Sequence, residues 1–337
     1  MRRPPAAARQ KSQLKERTAM FKAKHLSEIQ KFMEKTGLPG RDAHDLPTSQ
    51  KSFPDGAQYR IEIAGIEYYS NFVAMMDEAR KYKLPVHRAI CTVGGSAYLD
   101  FEDMRKLARH AQGEGVELVM VIGHRKGWDV GSKELGYPEG LPQGSRHRGC
   151  DSISYWLEDM MRCLEAGIRG FLVLDEGCLR LVSQMRAEGF IPRETIFKWS
   201  VFGGQSSPAG AKLLAELGAD TMNPISDVSL AILGAIRATV DLPLDVYMII
   251  VDSFGGMFRA YDAPEIARVA APVYFKIEPG SSESDIYKPW VTSAQHDEMV
   301  RMKVRLGSIL REIVQRRSPE LKLSGQGPAD LHLPVAD

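Results

Sequence analysis

Residues 244–280 read LDVYMIIVDSFGGMFRAYDAPEIARVAAPVYFKIEPG. The stretch opens on an apolar run of strand length, LDVYMIIVDS (244–253). It turns at a glycine pair, passes through a helix-like segment and closes on a second apolar run, PVYFKIEPG (272–280). A run, a helix and a run in that order is the signature of parallel strands joined by a crossover.

Working back toward the N-terminus, the same unit recurs. Strand-like runs lie at YRIEIAG (59–65), PVHRAICTV (85–93), VELVMVIG (116–123), GFLVLDEG (170–177), TIFKWSVFGG (195–204) and ADTMNP (219–224). Capping signals fall between them. Asp100 stands three residues before Asp103, Asp151 or Ser152 opens the next helix and Gly167 ends it. Ser207 precedes Pro208, and Ser226 or Asp227 opens the helix after the sixth run. Eight countable units, with no GxGxxG after the first, predict a closed (β/α)8 barrel rather than an open doubly wound sheet.

The flanks divide the chain further. Residues 1–57 read as a basic helical extension, ending at Gly37, and a Pro/Gly-rich connector. Residues 58–318 form the barrel with a long final helix over about 292–317, and 319–337 read as a flexible tail. The basic N-terminus, with no apolar core after it, does not read as a secretory signal, and Met20 stands as an alternative start. Net charge is +1 over 337 residues, which argues against a nucleic-acid binder, and no apolar run is long enough for a membrane span. Four cysteines without a CxxC pair read as reduced thiols of a cytoplasmic protein.

Barrel enzymes work at the carboxyl ends of their strands, and alternate residues of a strand share a face. On the first strand Ile61 and Ile63 should face the helices, so Arg60, Glu62 and Ala64 face inward. The same parity turns Lys198 and Ser200 inward on the fifth strand, and Lys276 and Glu278 on the eighth, beside the first. Glu62, Lys276 and Glu278 are therefore expected in one charged cluster. It reads either as a buried salt-bridge layer or as an acid/base set with pKa values driven apart. Asp175 is expected to enter the pocket from the fourth strand end, with Glu176 as the alternative.

His87 and Arg88 lie on the second strand, and His124 ends the third. Glu62, His124 and Asp175 are candidate ligands for a divalent metal, and Arg88 and His124 candidate substrate contacts. The loop 124–150, with six glycines and two prolines, reads as a lid that brings Trp128, Arg146 and Arg148 over a substrate. Ser253, Gly255, Gly256 and Ser281, in the loops after the last two strands, read as an anion cradle of backbone N–H groups. The absence of a phosphate-loop lysine pattern favours a small carboxylate over a nucleotide.

Phe275-Lys276-Ile277-Glu278, followed by Tyr287-Lys288-Pro289, resembles the K-I-E-G-R … Y stretch of the collagenase-like peptidase family. LAELGADTMNPISDVSLAILGAI (214–236) resembles that family's segment ahead of its late strands. Glu278-Pro279-Gly280 replaces Glu-Gly-Arg, and the family's cysteine-bearing segment is missing, so no iron–sulfur cluster is expected. The resemblance implies a barrel with a strand-eight Lys/Glu pair acting on an amide-like or ring substrate.

The residues together point to a small-molecule hydrolase of amide, lactam or ring-opening type, with Glu62 or Glu278 activating water and Lys276 or Arg148 steadying the oxyanion. A lyase or aldolase forming an imine on Lys198 is the alternative. A non-enzymatic assembly protein is the third reading. Homo-oligomerisation through the final helix is expected.

Overall fold

The computed structural model describes residues 25–93, 95–123, 146–288 and 290–335. It divides into two units, residues 1–42 and 43–337. In the first, α1 (His25–Lys35) ends where Gly37 adopts a left-handed φ of 79°. The Leu38 N–H then returns to the Met33 carbonyl, the usual glycine stop.

The second unit runs β1 (Tyr59–Ile66), α2 (Tyr69–Tyr82), β2 (Arg88–Cys91), α3 (Phe101–Glu114), β3 (Glu117–Met120), α4 (Gly149–Glu165), β4 (Gly170–Val173) and α5 (Glu176–Ala187). It continues with β5 (Ile196–Trp199), α6 (Pro208–Leu217), β6 (Thr221–Met222), α7 (Leu230–Thr239), β7 (Leu244–Ile249), α8 (Ala263–Ala270), β8 (Val273–Ile277), α9 (Glu283–Ile286) and α10 (Ser293–Arg317). The strands pair in parallel in chain order, and β8 pairs back onto β1. The chain is a (β/α)8 barrel, as its run-and-helix rhythm predicts.

Strand parity sorts the core. Ile61, Ile63, Phe171, Val173 and Phe275 join the large apolar layer between strands and helices. Ala64, Ile90, Val119, Val121, Leu172 and Ile196 form a separate cluster inside the barrel. The caps are set locally. Asp100 accepts from the Asp103 N–H at 2.9 Å, and Ser207 from Gly210 at 3.0 Å ahead of Pro208. The α7 cap is Ser229 rather than Ser226 or Asp227, because residues 226–227 form a turn first. α10 packs against α2, α8 and β1 and completes the helical ring. Among the described residues no helix is long and apolar enough to cross a membrane.

Two boundaries differ from the sequence reading. The connector from residue 43 belongs with the barrel: Ser49 Oγ donates to the Ala271 carbonyl at 2.5 Å, and Lys51 pairs with Asp241 at 2.6 Å. The segment after 318, expected to be a flexible tail, lies against the N-terminal ends of the strands. Leu323 bridges to Tyr59, Asp330 holds both terminal nitrogens of buried Arg60 at 2.9 and 2.7 Å, and the Val335 N–H meets the Gly167 carbonyl at 2.8 Å. Its Pro- and Gly-broken sequence hid this, because the segment forms no helix or strand of its own and is held by hydrogen bonds, an ion pair and a few apolar contacts.

His87 is part of the same closure. Its Nδ1 lies 3.0 Å from the Ile61 N–H and its Nε2 2.9 Å from the Gly325 carbonyl. These partners require a neutral ring with its proton on Nε2. Burial first, and then Arg60, push the His87 pKa down to about 4. Because the folded value lies below the unfolded value of 6.5, the contribution is complete above pH 6.5 and is lost as pH falls toward 4. Equilibrium unfolding in urea across this range tests it. The wild-type advantage over His87→Gln should narrow by up to about 3 kcal/mol between pH 7 and pH 4. A gap independent of pH contradicts the assignment.

Candidate functional site

The register of the barrel places its charged residues side by side. Glu62 on β1 sits opposite Arg88 on β2 and Lys276 on β8, and Arg88 sits opposite Glu117 on β3. All are buried, together with Lys198 and Asp245. Lys198 Nζ lies 3.0 Å from Glu62 Oε2 and 2.5 Å from Asp245 Oδ2. The Arg88 guanidinium reaches Glu117 at 2.5 Å, Asp245 at 2.8 Å and Glu62 at 3.2 Å, and stacks over the Tyr274 ring. Thr221 donates to Asp245 at 2.7 Å. Burial disfavours charge on Glu62, but Lys198, Lys276 and Arg88 outweigh it and hold the carboxyl below its usual range.

This layer changes three assignments. Arg88, expected to bind substrate, is instead surrounded by the barrel's own carboxylates. Lys198, expected as an imine-forming nucleophile, is fully buried between two acids, with no free face for a carbonyl. Glu62, expected to activate water or hold a metal, is committed to two cations through Oε2. Its Oε1 is without a hydrogen-bond partner and faces Lys276 at 3.9 Å.

Nearer the carboxyl ends of the strands lies a second group. Lys276 Nζ is 3.2 Å from Asn223 Oδ1, 4.0 Å from Glu278 Oε2 and 4.5 Å from the centre of the Tyr247 ring. Tyr247 donates its hydroxyl to Glu278 Oε2 at 2.8 Å. Burial and the Glu278 charge push the Tyr247 phenol well above its ordinary range, so it stays a proton donor. Lys276 and Glu278 are thus brought together, with Glu62 beneath them. The wall is two-sided: these polar groups occupy β6 to β8, and the apolar cluster of Ala64, Ile90, Val119, Val121, Leu172 and Ile196 lines β1 to β5. Ile286 and Tyr287, from the segment after β8, pack onto that cluster.

Asp175 is a correction. Phe171 and Val173, which share its parity, face the helices, so Asp175 turns the same way. Its Oδ1 caps α5 by accepting from Cys178 N–H at 3.0 Å. Glu176 pairs with Arg146 and accepts from Gln205 at 3.0 Å. Arg146, assigned to the lid, therefore ties the entry of α4 to the start of α5. Arg148 is the N-cap residue of α4. His124, Trp128 and most of the proposed lid lie outside the described residues. Among the described residues no three His, Cys, Asp or Glu side chains form a group able to hold a metal.

The anion cradle is also corrected. The N–H groups of Asp252, Ser253, Gly255 and Gly256 donate to the carbonyls of Gly280, Ser281, Asp252 and Val251 at 2.8–3.2 Å. The two loops are zipped to each other, and those donors are not aimed at a ligand. Sequence reasoning passed over Glu117, Asp245, Asn223 and Tyr247. The parity used on the first strand would have found three of them: Leu244, Val246 and Met248 alternate with Asp245 and Tyr247, and Leu118 and Met120 with Glu117.

No family model matches the chain. No curated protein matches it. Among solved structures it is similar to the YdjI aldolase from Escherichia coli K12, with a TM-score of 0.44 and 13% identity over 79% of this chain and 94% of that one. It is similar to the U32 peptidase Mk0906, with a TM-score of 0.40 and 16% identity over 70% and 97%. It is also similar to a D-psicose 3-epimerase from Clostridium cellulolyticum H10, with a TM-score of 0.42 and 12% identity over 76% and 99%. A peptidase, an aldolase and an epimerase are matched about equally, so the likeness is one of fold and carries no reaction.

Removing one acid from the lower layer leaves Lys198 and Arg88 undercompensated. Glu62→Gln should therefore lower the unfolding free energy by about 3 kcal/mol or more, read from denaturant midpoints. An unchanged midpoint would show that the layer is not held by its charges.

Proposed function

We propose that the chain is an enzyme that hydrolyses a carbon–nitrogen bond of a small amide or lactam at the carboxyl end of the barrel. The observation that carries this reading is the Lys276–Glu278 pair, 4.0 Å apart, with Tyr247 donating to the same carboxylate oxygen at 2.8 Å.

The chemistry follows from the three groups. Glu278 accepts a proton from water as the oxygen attacks the carbonyl carbon. Negative charge then develops on the carbonyl oxygen. The Lys276 nitrogen, with carboxylates at 3.9 and 4.0 Å and an aromatic face at 4.5 Å, is the cation positioned to meet it. As the carbon–nitrogen bond breaks, Glu278 returns its proton to the leaving nitrogen. Tyr247 fixes the carboxylate through its donated hydrogen bond, and Asn223 fixes the lysine. The apolar half of the wall suits a substrate whose remainder is hydrocarbon or aromatic.

A lyase is the second reading, favoured by one observation. A lysine at a strand end beside a phenol–carboxylate pair has the neighbours that imine chemistry uses. The nucleophile would then be Lys276 and not Lys198.

Purified protein assayed against a panel of small amides, lactams and cyclic imides, with release of amine or carboxylate as the readout, tests the proposal. Glu278→Gln and Lys276→Met should each lower kcat by about a hundredfold or more in protein that circular dichroism shows to be folded at the assay temperature. Unchanged turnover in both contradicts the reading. A borohydride-trapped adduct on Lys276 with a ketone substrate selects the lyase instead.

A further inference from the structure

The buried face of α10 carries a lysine. Lys303 is fully enclosed, and its Nζ bonds to the Ala64 carbonyl at 2.7 Å and to the Tyr287 hydroxyl at 3.0 Å. Tyr287 is itself buried, and burial together with Glu278, which acts on its phenol at close range, pushes its pKa well up. The close approach depends on Gly65. Its φ is 81°, and a Cβ there would stand 2.3 Å from the Tyr287 hydroxyl oxygen and 2.6 Å from Lys303 Nζ. The backbone at the end of β1 thus leaves room for the amine to meet the phenol, with Glu278 acting on both.

We propose that Lys303 and Tyr287 position Glu278 and form a proton relay for it, so that a proton taken up by Glu278 passes through the Tyr287 hydroxyl to the Lys303 amine. This rests on the reading of Glu278 as the proton carrier. In the step, the carboxylic acid of Glu278 gives its proton to the Tyr287 oxygen while the Tyr287 proton moves to the lone pair of Lys303. Glu278 ends as a carboxylate, Tyr287 is unchanged and Lys303 ends as an ammonium ion. The reverse step returns the proton for the leaving nitrogen.

The electrostatics suit a relay. Burial lowers Lys303 to about 8, against the opposing charges of Glu278 beyond β8, Glu67 after β1 and Glu283 on α9. Lys276 on β8 adds to the lowering. His296, one of α10's own residues, lies with its ring parallel to that of Tyr287 at 6.1 Å, and burial lowers its pKa. Amine and ammonium forms of Lys303 therefore both occur close to neutral pH. A lysine serving only to tie α10 to β1 has no need of a carboxylate at the far side of the phenol.

The test combines lysine side-chain NMR on the unliganded full chain with pH profiles of kcat/KM on the amide substrate. Lys303 should titrate near pH 8, and Glu278→Gln should lower that midpoint by about half a unit or more, because an opposing charge is lost. The wild-type rate should rise through the same range as the amine form appears. Tyr287→Phe, which removes one oxygen from the line, should abolish that limb, as should Lys303→Met if it folds. A Lys303 midpoint indifferent to Glu278→Gln, or a Tyr287→Phe profile parallel to wild type, overturns the relay. Full activity in Glu278→Gln overturns the proton-carrier reading and the relay with it. Lost activity in Glu278→Gln with a parallel Tyr287→Phe profile overturns the relay alone.

Discussion

The contact between Lys198 and its two carboxylates, Glu62 and Asp245, is the constraint on which the interior depends. Charges at this depth lose their hydration, and only close partners compensate. Lys198 from β5 reaches Glu62 on β1 and Asp245 on β7, so the contact spans the barrel. Arg88 adds β2 and, through Glu117, β3. Five strands distant in sequence are joined by charge, which makes the closed ring a condition for satisfying these residues and not merely a backdrop for them.

That compensation also sorts the charged residues by role. Glu62, Arg88, Lys198 and Asp245 in the lower layer are each held by two or more partners of opposite sign, and have no remaining direction in which to meet a substrate. Lys276 and Glu278, one step nearer the rim, have longer contacts to each other and shorter ones to neutral groups, Asn223 and Tyr247. Position along β8 thus separates a structural charge cluster from one with reactive capacity. The apolar wall on the opposite strands gives that second cluster a dry face, in which charge developing on a substrate is poorly screened.

Much of this was legible from alternation alone. Parity on the first, fifth and eighth strands turned Glu62, Lys198, Lys276 and Glu278 inward, and the structure places them there. Depth was not legible, because parity gives the face of a residue and not its layer. That is why Lys198, expected as an imine-forming nucleophile, and Arg88, expected as a substrate contact, both belong to the lower layer instead. Asp175 failed for a different reason. Residues at a strand end already answer to the helix that follows, and an acid three positions before an orphan N–H becomes a cap. The anion cradle failed because glycine-rich loops can satisfy their own N–H groups. Lys303 carried a visible signal: with Val300, Val304, Gly307 and Leu310 it falls on the stripe that α10 buries, where a lysine needs a partner.

The lower layer is thus a mutually dependent ionic unit. A double-mutant cycle on Lys198→Met and Asp245→Asn, read as unfolding free energy in denaturant, tests it most directly. The two substitutions should be non-additive, with a coupling of about 2 kcal/mol or more. Effects that sum to within about 0.5 kcal/mol would mean that the residues act independently, and would contradict it.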